Sequence, residues 1–358
     1  MQSKFLVKFL TITVLVFSLG LKAQHNEPEG TEKERDIKSE IKESINHHIQ
    51  DSYDVVFFTD TENGKNYGFS LPVILIDGGL HVFSSAKFHH GETVAESNGN
   101  YYTLYHNKIY RTDAEGTITL DDHHHPTEYK PWDFSITKNV LMIIITGIIM
   151  LLLFVGLAKS FSKGPIAKGA GRFLEPIVVY IRDDIARPNI GEANYKKYMP
   201  YLLTVFFFVW FLNLFGLTPL GVNVTGNIAV TFALAIITFI ITQFSGNKNY
   251  WKHIFWMPGV PVPMKFILAP IELLGVFIKP FALMIRLYAN IMAGHVVLMS
   301  IIGLVFIFQN WIGGALSLFL AFFLSIIELL VAALQAYIFT LLSALYFGFA
   351  VEEHDEAH

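Results

Sequence analysis

Apolar positions come in two styles along this chain. Before Pro131 they form short runs broken by polar residues and turn signals, and after it they form long unbroken blocks. In the leading part, "YDVVFFTD", "YGFSLPVILIDG", "LHVFSS", "YYTLYHNKIYRT" and "GTITL" are rich in β-branched and aromatic residues. Asn63-Gly64 and Asp77-Gly78-Gly79 punctuate them as turns. The pattern predicts a small antiparallel β unit over residues 51–120. Residues 25–50 are polar, with helical spacing at best.

In the second part, Asn139–Leu157 is a charge-free run flanked by Lys138 and Lys159, long enough to cross a bilayer. In "FLEPIVVYIRDDIARPNIG", Phe173, Ile177, Tyr180, Ile181 and Ile185 recur at helical spacing, with Glu175, Arg182, Asp183 and Asp184 between them. This pattern suits a helix lying in the membrane interface. Tyr198–Asn247 carries no formal charge and divides into two spans at "TPLGVNVTG". "NKNYWKHIFWMPGVPVPMK" reads as a membrane-surface loop. Met264–Gly303 and Phe308–Ala350 are apolar blocks too long for one perpendicular crossing each, since about 20 residues suffice. They read as two long, strongly tilted helices joined at "FQNWIGG". The alternative is two short spans apiece, which the lack of polar breaks disfavours.

Composition sharpens this picture. Hydrophobic residues are 53% and charged residues 16% of the chain, well below the charge content of soluble domains. The net charge of −4 gives no sign of nucleic-acid binding, and the absence of cysteine removes disulfide and thiolate chemistry. "MQSKFLVKFLTITVLVFSLGLKA" has basic residues, a short apolar run and a terminal small residue, the order of a secretory leader over 1–23 with cleavage near Ala23. An uncleaved anchor is the alternative, and Leu21 makes the cut site imperfect. The expected organisation is thus a leader (1–23), an exported β-rich segment (24–135), a membrane domain (136–354) and a short tail (355–358). Basic residues crowd 159–197 and Lys248, Lys252 and Lys265, whereas "TPLGVNVTG" and "FQNWIGG" have none. The positive-inside rule puts the former in the cytoplasm and the latter outside, in agreement with an exported leading segment.

Between Lys279 and Glu352 only Arg286 and Glu328 are formally charged. Burying an ionisable group in the membrane is costly, which makes each a functional candidate. At about 100° per residue, Glu272, Lys279, Arg286 and Asn290 fall on one stripe of a helix, and His295 falls about 180° from Arg286. Glu328 and Gln335 share a face of the next helix. His295 and Glu328 lie at similar distances from the turn, so they can meet in the outer half of the membrane. Other readings stay open. Arg286 and Glu328 can form a structural ion pair, Asn290 and Gln335 can act as interhelical packing groups, and Lys279 can extend to the cytoplasmic surface. "DDHHHP" and His89-His90 contain metal-ligand types, but adjacent histidines converge poorly on one ion, which favours a solvated linker.

"RLYANIMAGH", "ELLVAALQAYIFTLLSALYFGFAVEEH" and "PYLLTVFFFVWFLNLFGLTP" resemble subunit a of the F-type ATP synthase over residues 135–354. The exported segment lies outside that likeness. The resemblance implies an all-α polytopic membrane protein: a first span, an interfacial helix, two further spans and a tilted helical hairpin. It implies a stator subunit in a bacterial inner membrane that couples proton flow to rotation, with the ATP chemistry on other subunits and no cofactor. The implied partners are a ring of c subunits, the b subunits of the peripheral stalk, and lipid. Arg286 matches the family's essential arginine, and Asn290 and Gln335 match polar positions beside it. His295 and Glu328 match a pair in the outer half-channel, which some members carry in swapped order. Glu272 matches an acid of the inner one. The competing classes are a secondary transporter or channel with an exported sensor, which would be expected to show internal repeats, and a membrane hydrolase. HExxH and GxSxG are both absent.

Overall fold

The computed structural model describes residues 50–352, apart from 61–64, 92, 122–125, 163–168, 170, 219–221, 258–259 and 309. The expected leader, the polar segment up to residue 49, the histidines of 123–125 and the tail from 353 lie outside the described residues.

Among the described residues the leading part is a β domain of eight strands: β1 (Asp54–Asp60), β2 (Lys65–Ser70), β3 (Pro72–Ile76), β4 (Leu80–Ser84), β5 (Ala95–Ser97), β6 (Asn100–Tyr105), β7 (Lys108–Thr112) and β8 (Trp132–Asp133). They form three small antiparallel sheets, ordered β1-β2, β4-β3-β8 and β5-β6-β7. Inward side chains of Tyr53, Val73, Leu75, Phe83, Phe88, Tyr102 and Ile109 share one core. Residues 77–79 close the β3–β4 hairpin as expected, with Gly78 at φ +65°.

The structure divides two of the predicted β runs and leaves a third without a strand. "YGFSLPVILIDG" is two strands in different sheets, parting at Pro72, which has no N–H to extend a ladder. "YYTLYHNKIYRT" is a hairpin, because His106 and Asn107 both adopt positive φ, the geometry of a two-residue primed turn. "GTITL" forms no strand beyond a bridge at Leu120; the Glu128 carboxylate takes the Thr119 N–H that a ladder would have used.

The second part is helical: α1 (Lys138–Phe161), α2 (Gly171–Tyr180), α3 (Arg187–Ile190), α4 (Tyr195–Gly216), α5 (Ile228–Ser245), α6 (Lys248–Phe255), α7 (Val262–Phe308) and α8 (Trp311–Val351). Five of these, α1, α4, α5, α7 and α8, are long and apolar enough to cross a membrane. Side-chain caps start several of them. Thr137, Asn227, Asn247 and Asn310 each accept a hydrogen bond from the first turn of α1, α5, α6 and α8 respectively.

The expected interfacial helix is α2 running into wide π-type turns over Ile181–Ala186 and then α3. Pro188 explains the widening: its ring would clash with the carbonyl four residues earlier in a regular helix. Its charges pair locally, Asp183 bridging Arg182 and Arg187, each at 2.8 Å. The expected surface loop after Asn247 begins instead with a helix, α6, because Asn247 caps it and "NYWKHIF" has no breaker. Helix α7 holds 47 residues, longer than the predicted block, and α8 holds 41, starting three residues later than predicted because Phe308 still belongs to α7. At about 1.5 Å per residue both exceed the roughly 30 Å hydrocarbon thickness twofold. Pro270 and Pro280 interrupt the hydrogen bonding of α7 without ending it.

The helical core gathers Leu202, Phe207, Leu287, Phe339 and Phe347 from α4, α7 and α8. Gly348 makes this packing possible. A Cβ there would lie 1.9 Å from the Asn189 carbonyl oxygen, so α8 meets the α3 turn backbone to backbone.

Candidate functional site

The helical hairpin has two unlike sides. Toward α4 and α5, small and polar residues of α8 are buried, including Ala332, Gln335, Ala336, Thr340 and Ser343. The other side of α8 exposes Leu316, Phe319, Phe322, Phe323, Ile326, Ile327 and Leu330. In a helix with this composition, the polar side is the packed one.

Arg286 is exposed on the helical bundle and is not ion-paired with Glu328; among the described residues the arginine ion pairs are those of Arg111, Arg182 and Arg187. Asn290, one turn further along α7, is also exposed, and its Nδ2 donates to Gln335 Oε1 at 2.9 Å. Gln335 is buried, and its Nε2 has no hydrogen-bond partner.

His295 and Glu328 are both buried, at 6% and 7% exposure, against exposed Arg286 on the opposite side of α7. They line one narrow space with Asn213, Asn223, Thr225 and Ala332. Thr225 Oγ1 donates to Asn213 Oδ1 at 2.7 Å, and Asn213 Nδ2 donates to the Ala332 carbonyl at 3.3 Å. Gly294 lets α7 approach: its Cβ, if present, would sit 3.1 Å from Glu328 Oε1. Glu328 Oε2 has no hydrogen-bond partner, so an acceptor faces a space of about 10 Å³, close to what one water needs.

Glu272 and Lys279 lie elsewhere, in a cavity of about 500 Å³ near the C-terminal end of α8, together with Tyr250, Lys252, His253 and Glu352. Lys279 Nζ also stands over the Tyr346 and Phe349 rings, at 5.9 and 5.6 Å. A narrow extension past Thr238, Thr242 and Gln243 reaches Leu283 and Tyr346.

Six sequence-predicted residues therefore fall into three places. Glu272 lies in the wide cavity, His295 with Glu328 in the narrow one, and Arg286, Asn290 and Gln335 line neither and fall between their lining residues along α7 and α8. Asn213, Asn223 and Thr225 were not singled out from sequence. An asparagine in a charge-free span was the available signal for Asn213. Tyr250, Lys252 and His253 join the site only because α6 folds under α7. Among the described residues no group of three or more His, Cys, Asp or Glu could hold a metal.

Comparison with known proteins finds a family model matching each part. A family model described as "ATP synthase A chain" matches residues 140–348, and a "Domain of unknown function (DUF8433)" matches residues 44–134. The chain is 44% identical over 238 residues to ATP synthase subunit a of Chloroherpeton thalassium, covering 63% of this chain and 71% of that one. It is 44% identical over 240 residues to ATP synthase subunit a 2 of Chlorobaculum tepidum, covering 64% and 67%. With subunit a of Myxococcus xanthus it shares 41% over 234 residues, covering 63% and 76%. Matched over more than half its length, the chain belongs to the ATP synthase A chain family and is an integral membrane, proton-translocating subunit of the synthase membrane sector in a bacterium.

Proposed function

We propose that this chain is the stator that presents Arg286 to the carboxylates of a rotating c-ring, between two offset proton half-channels. The observation that carries the reading is the separation of the two polar spaces. The narrow one ends at Ile291, His295 and Glu328, the wide one and its extension end at Leu283 and Tyr346, and exposed Arg286 lies between them in sequence. A proton entering the narrow space passes by way of His295 and Glu328 to a rotor carboxylate. After nearly a full turn of the ring, that carboxylate loses it into the wide cavity beside Glu272. Arg286 holds each arriving carboxylate ionised and blocks a direct passage between the two spaces. Arginine suits this task because it keeps its charge when desolvated, whereas lysine can lose its proton. Asn290 and Gln335 hold the polar surface next to it.

In this reading the protein sits in the inner membrane with the β domain periplasmic and the C-terminus cytoplasmic, as the basic residues at 159–197 and 248–265 favour. The exposed aliphatic and aromatic side of α8 meets the ring and lipid, and the b subunits of the peripheral stalk hold the chain still.

The test is ATP-driven proton pumping in vesicles carrying the whole complex, wild type against Arg286→Ala. Loss of pumping with the complex assembled is the expected result. Normal pumping by the variant overturns the reading.

A further inference from the structure

The wide cavity and its narrow extension share four lining residues, Tyr250, Val276, Lys279 and Phe349, so the two spaces meet there. Gln243 lines the extension and not the cavity, and it bonds Tyr250 at the junction. Gln243 Nε2 donates to Tyr250 Oη at 3.1 Å, and Tyr250 Oη donates to Gln243 Oε1 at 3.3 Å. Across this pair the open volume falls from about 500 Å³ to about 20 Å³. The smaller figure is room for about one water. The pair is therefore a neck.

Backbone contacts place the phenol. Asn247 Oδ1 accepts from Tyr250 N at 2.8 Å. The same asparagine ties α6 to the end of α8, its N donating to the Ala350 carbonyl at 3.0 Å and its Nδ2 to the Glu352 carbonyl at 2.8 Å. Gly246 leaves room for the ring, since a Cβ there would lie 2.6 Å from Tyr250 Cδ1. Beyond the neck, buried Thr242 and Thr238 line the extension, and Thr238 Oγ1 shares a 2.6 Å hydrogen bond with Tyr201 Oη. The extension reaches Leu283, about one helical turn before Arg286.

We propose that Tyr250 hands protons through this neck, between water in the extension and water in the wide cavity, and that Gln243 is the positioning residue that holds its hydroxyl there. This deepens the stator reading above and rests on it. A phenol both donates and accepts, so it passes a proton without becoming charged. A proton from water in the extension bonds to a lone pair of Tyr250 Oη as the phenolic proton leaves to water in the cavity. During ATP-driven pumping the same two transfers run in reverse. Val276 and Phe349, which share the junction, have no polar side-chain atom, and Lys279 is a donor without an acceptor while charged. Burial raises the phenol above its ordinary value, with the Gln243 hydrogen bond opposing and the Glu272 charge adding to the shift, so Tyr250 keeps its proton at neutral pH.

The experiment measures ATP-driven pumping per assembled complex in vesicles carrying the whole enzyme. Tyr250→Phe keeps the ring and removes the hydroxyl, and it lowers pumping by roughly tenfold or more, as the loss of a positioned proton-transfer group does. Adding Gln243→Ala opens the neck, water takes the place of the hydroxyl, and pumping rises again. A packing role predicts the reverse, because each truncation adds to the damage. A wild-type rate for Tyr250→Phe overturns the proposal, as does a double variant no faster than the single one. Normal pumping by Arg286→Ala would instead sink the stator reading. If Tyr250→Phe fails to assemble, Thr242→Cys tests the same route beyond the neck, in a chain that has no cysteine of its own. Silver ions at the cytoplasmic face should stop its pumping and spare the parent; equal pumping by both in silver overturns the proposal.

Discussion

Asn290 Nδ2 donates to Gln335 Oε1 at 2.9 Å, tying α7 to α8 one turn from Arg286. Gln335 is 1% exposed, and its Oε1 takes this hydrogen bond while its Nε2 has no partner. Asn290→Ala leaves that amide wholly unpaired, which costs about 1–3 kcal/mol. The assembled complex should melt at a lower temperature and pump more slowly. Replacing both residues by leucine should restore much of the thermal stability while pumping stays low, because the polar surface beside Arg286 is gone. Thermal melting and proton pumping measured on the same preparations separate the two effects.

Gly294 and Gly348 predict two different failures. A methyl at Gly294 meets the Glu328 carboxylate at 3.1 Å, and that side chain can shift. Gly294→Ala should assemble and pump more slowly, and Gly294→Val should pump less still, with ATP hydrolysis largely retained. A methyl at Gly348 meets the Asn189 carbonyl at 1.9 Å, and backbone cannot step aside so cheaply. Overpacking of this kind typically costs about 1–3 kcal/mol or more. Gly348→Ala should reduce the amount of assembled subunit, as read by immunodetection in membranes.

The two spaces differ in width, so their acids should differ in importance. Around Glu272 about 500 Å³ is open, and water can carry protons past a missing carboxylate. Around Glu328 the space is about 10 Å³, with no room for a bypass. Glu328→Gln should lower pumping by roughly a hundredfold, in the range of a lost positioned proton-transfer group. Glu272→Gln should lower it only severalfold. Equal effects would contradict the width argument.

Asp183 provides a pH signature away from the membrane spans. Its carboxyl is held below the ordinary value of 3.8, chiefly by the hydrogen bond from Arg182, with Arg187 adding to it. A depressed folded value stabilises above the unfolded one and loses that contribution as pH falls through the folded value. Asp183→Asn should therefore melt at a lower temperature than wild type at neutral pH, and the two should converge below about pH 4. A constant difference across that range would exclude the linkage.

Much of this was legible in the sequence because a bilayer imposes simple rules. Charge-free runs marked α1, α4 and α5, long apolar blocks marked α7 and α8, and the isolated ionisable residues in those blocks marked Arg286 and Glu328. Helical spacing alone separated Arg286 from His295. Other features depended on local chemistry. The turn at Asn98-Gly99, with both residues at positive φ, was available from the Asn-Gly pair. The "GTITL" run reads as a strand by propensity, and only the position of Glu128 shows why it is not one.

The sequence by itself determined which segments are too apolar for water and which rare polar groups the membrane must accommodate. Periodicity and burial penalties act along one helix and need no partner to be read. Only the tertiary structure decided how wide each polar space is, that α6 closes under Glu272 and Lys279, and that Asn290 meets Gln335 across the hairpin. Those relations join residues far apart in the chain, and side-chain packing, rather than any local preference, sets their distances.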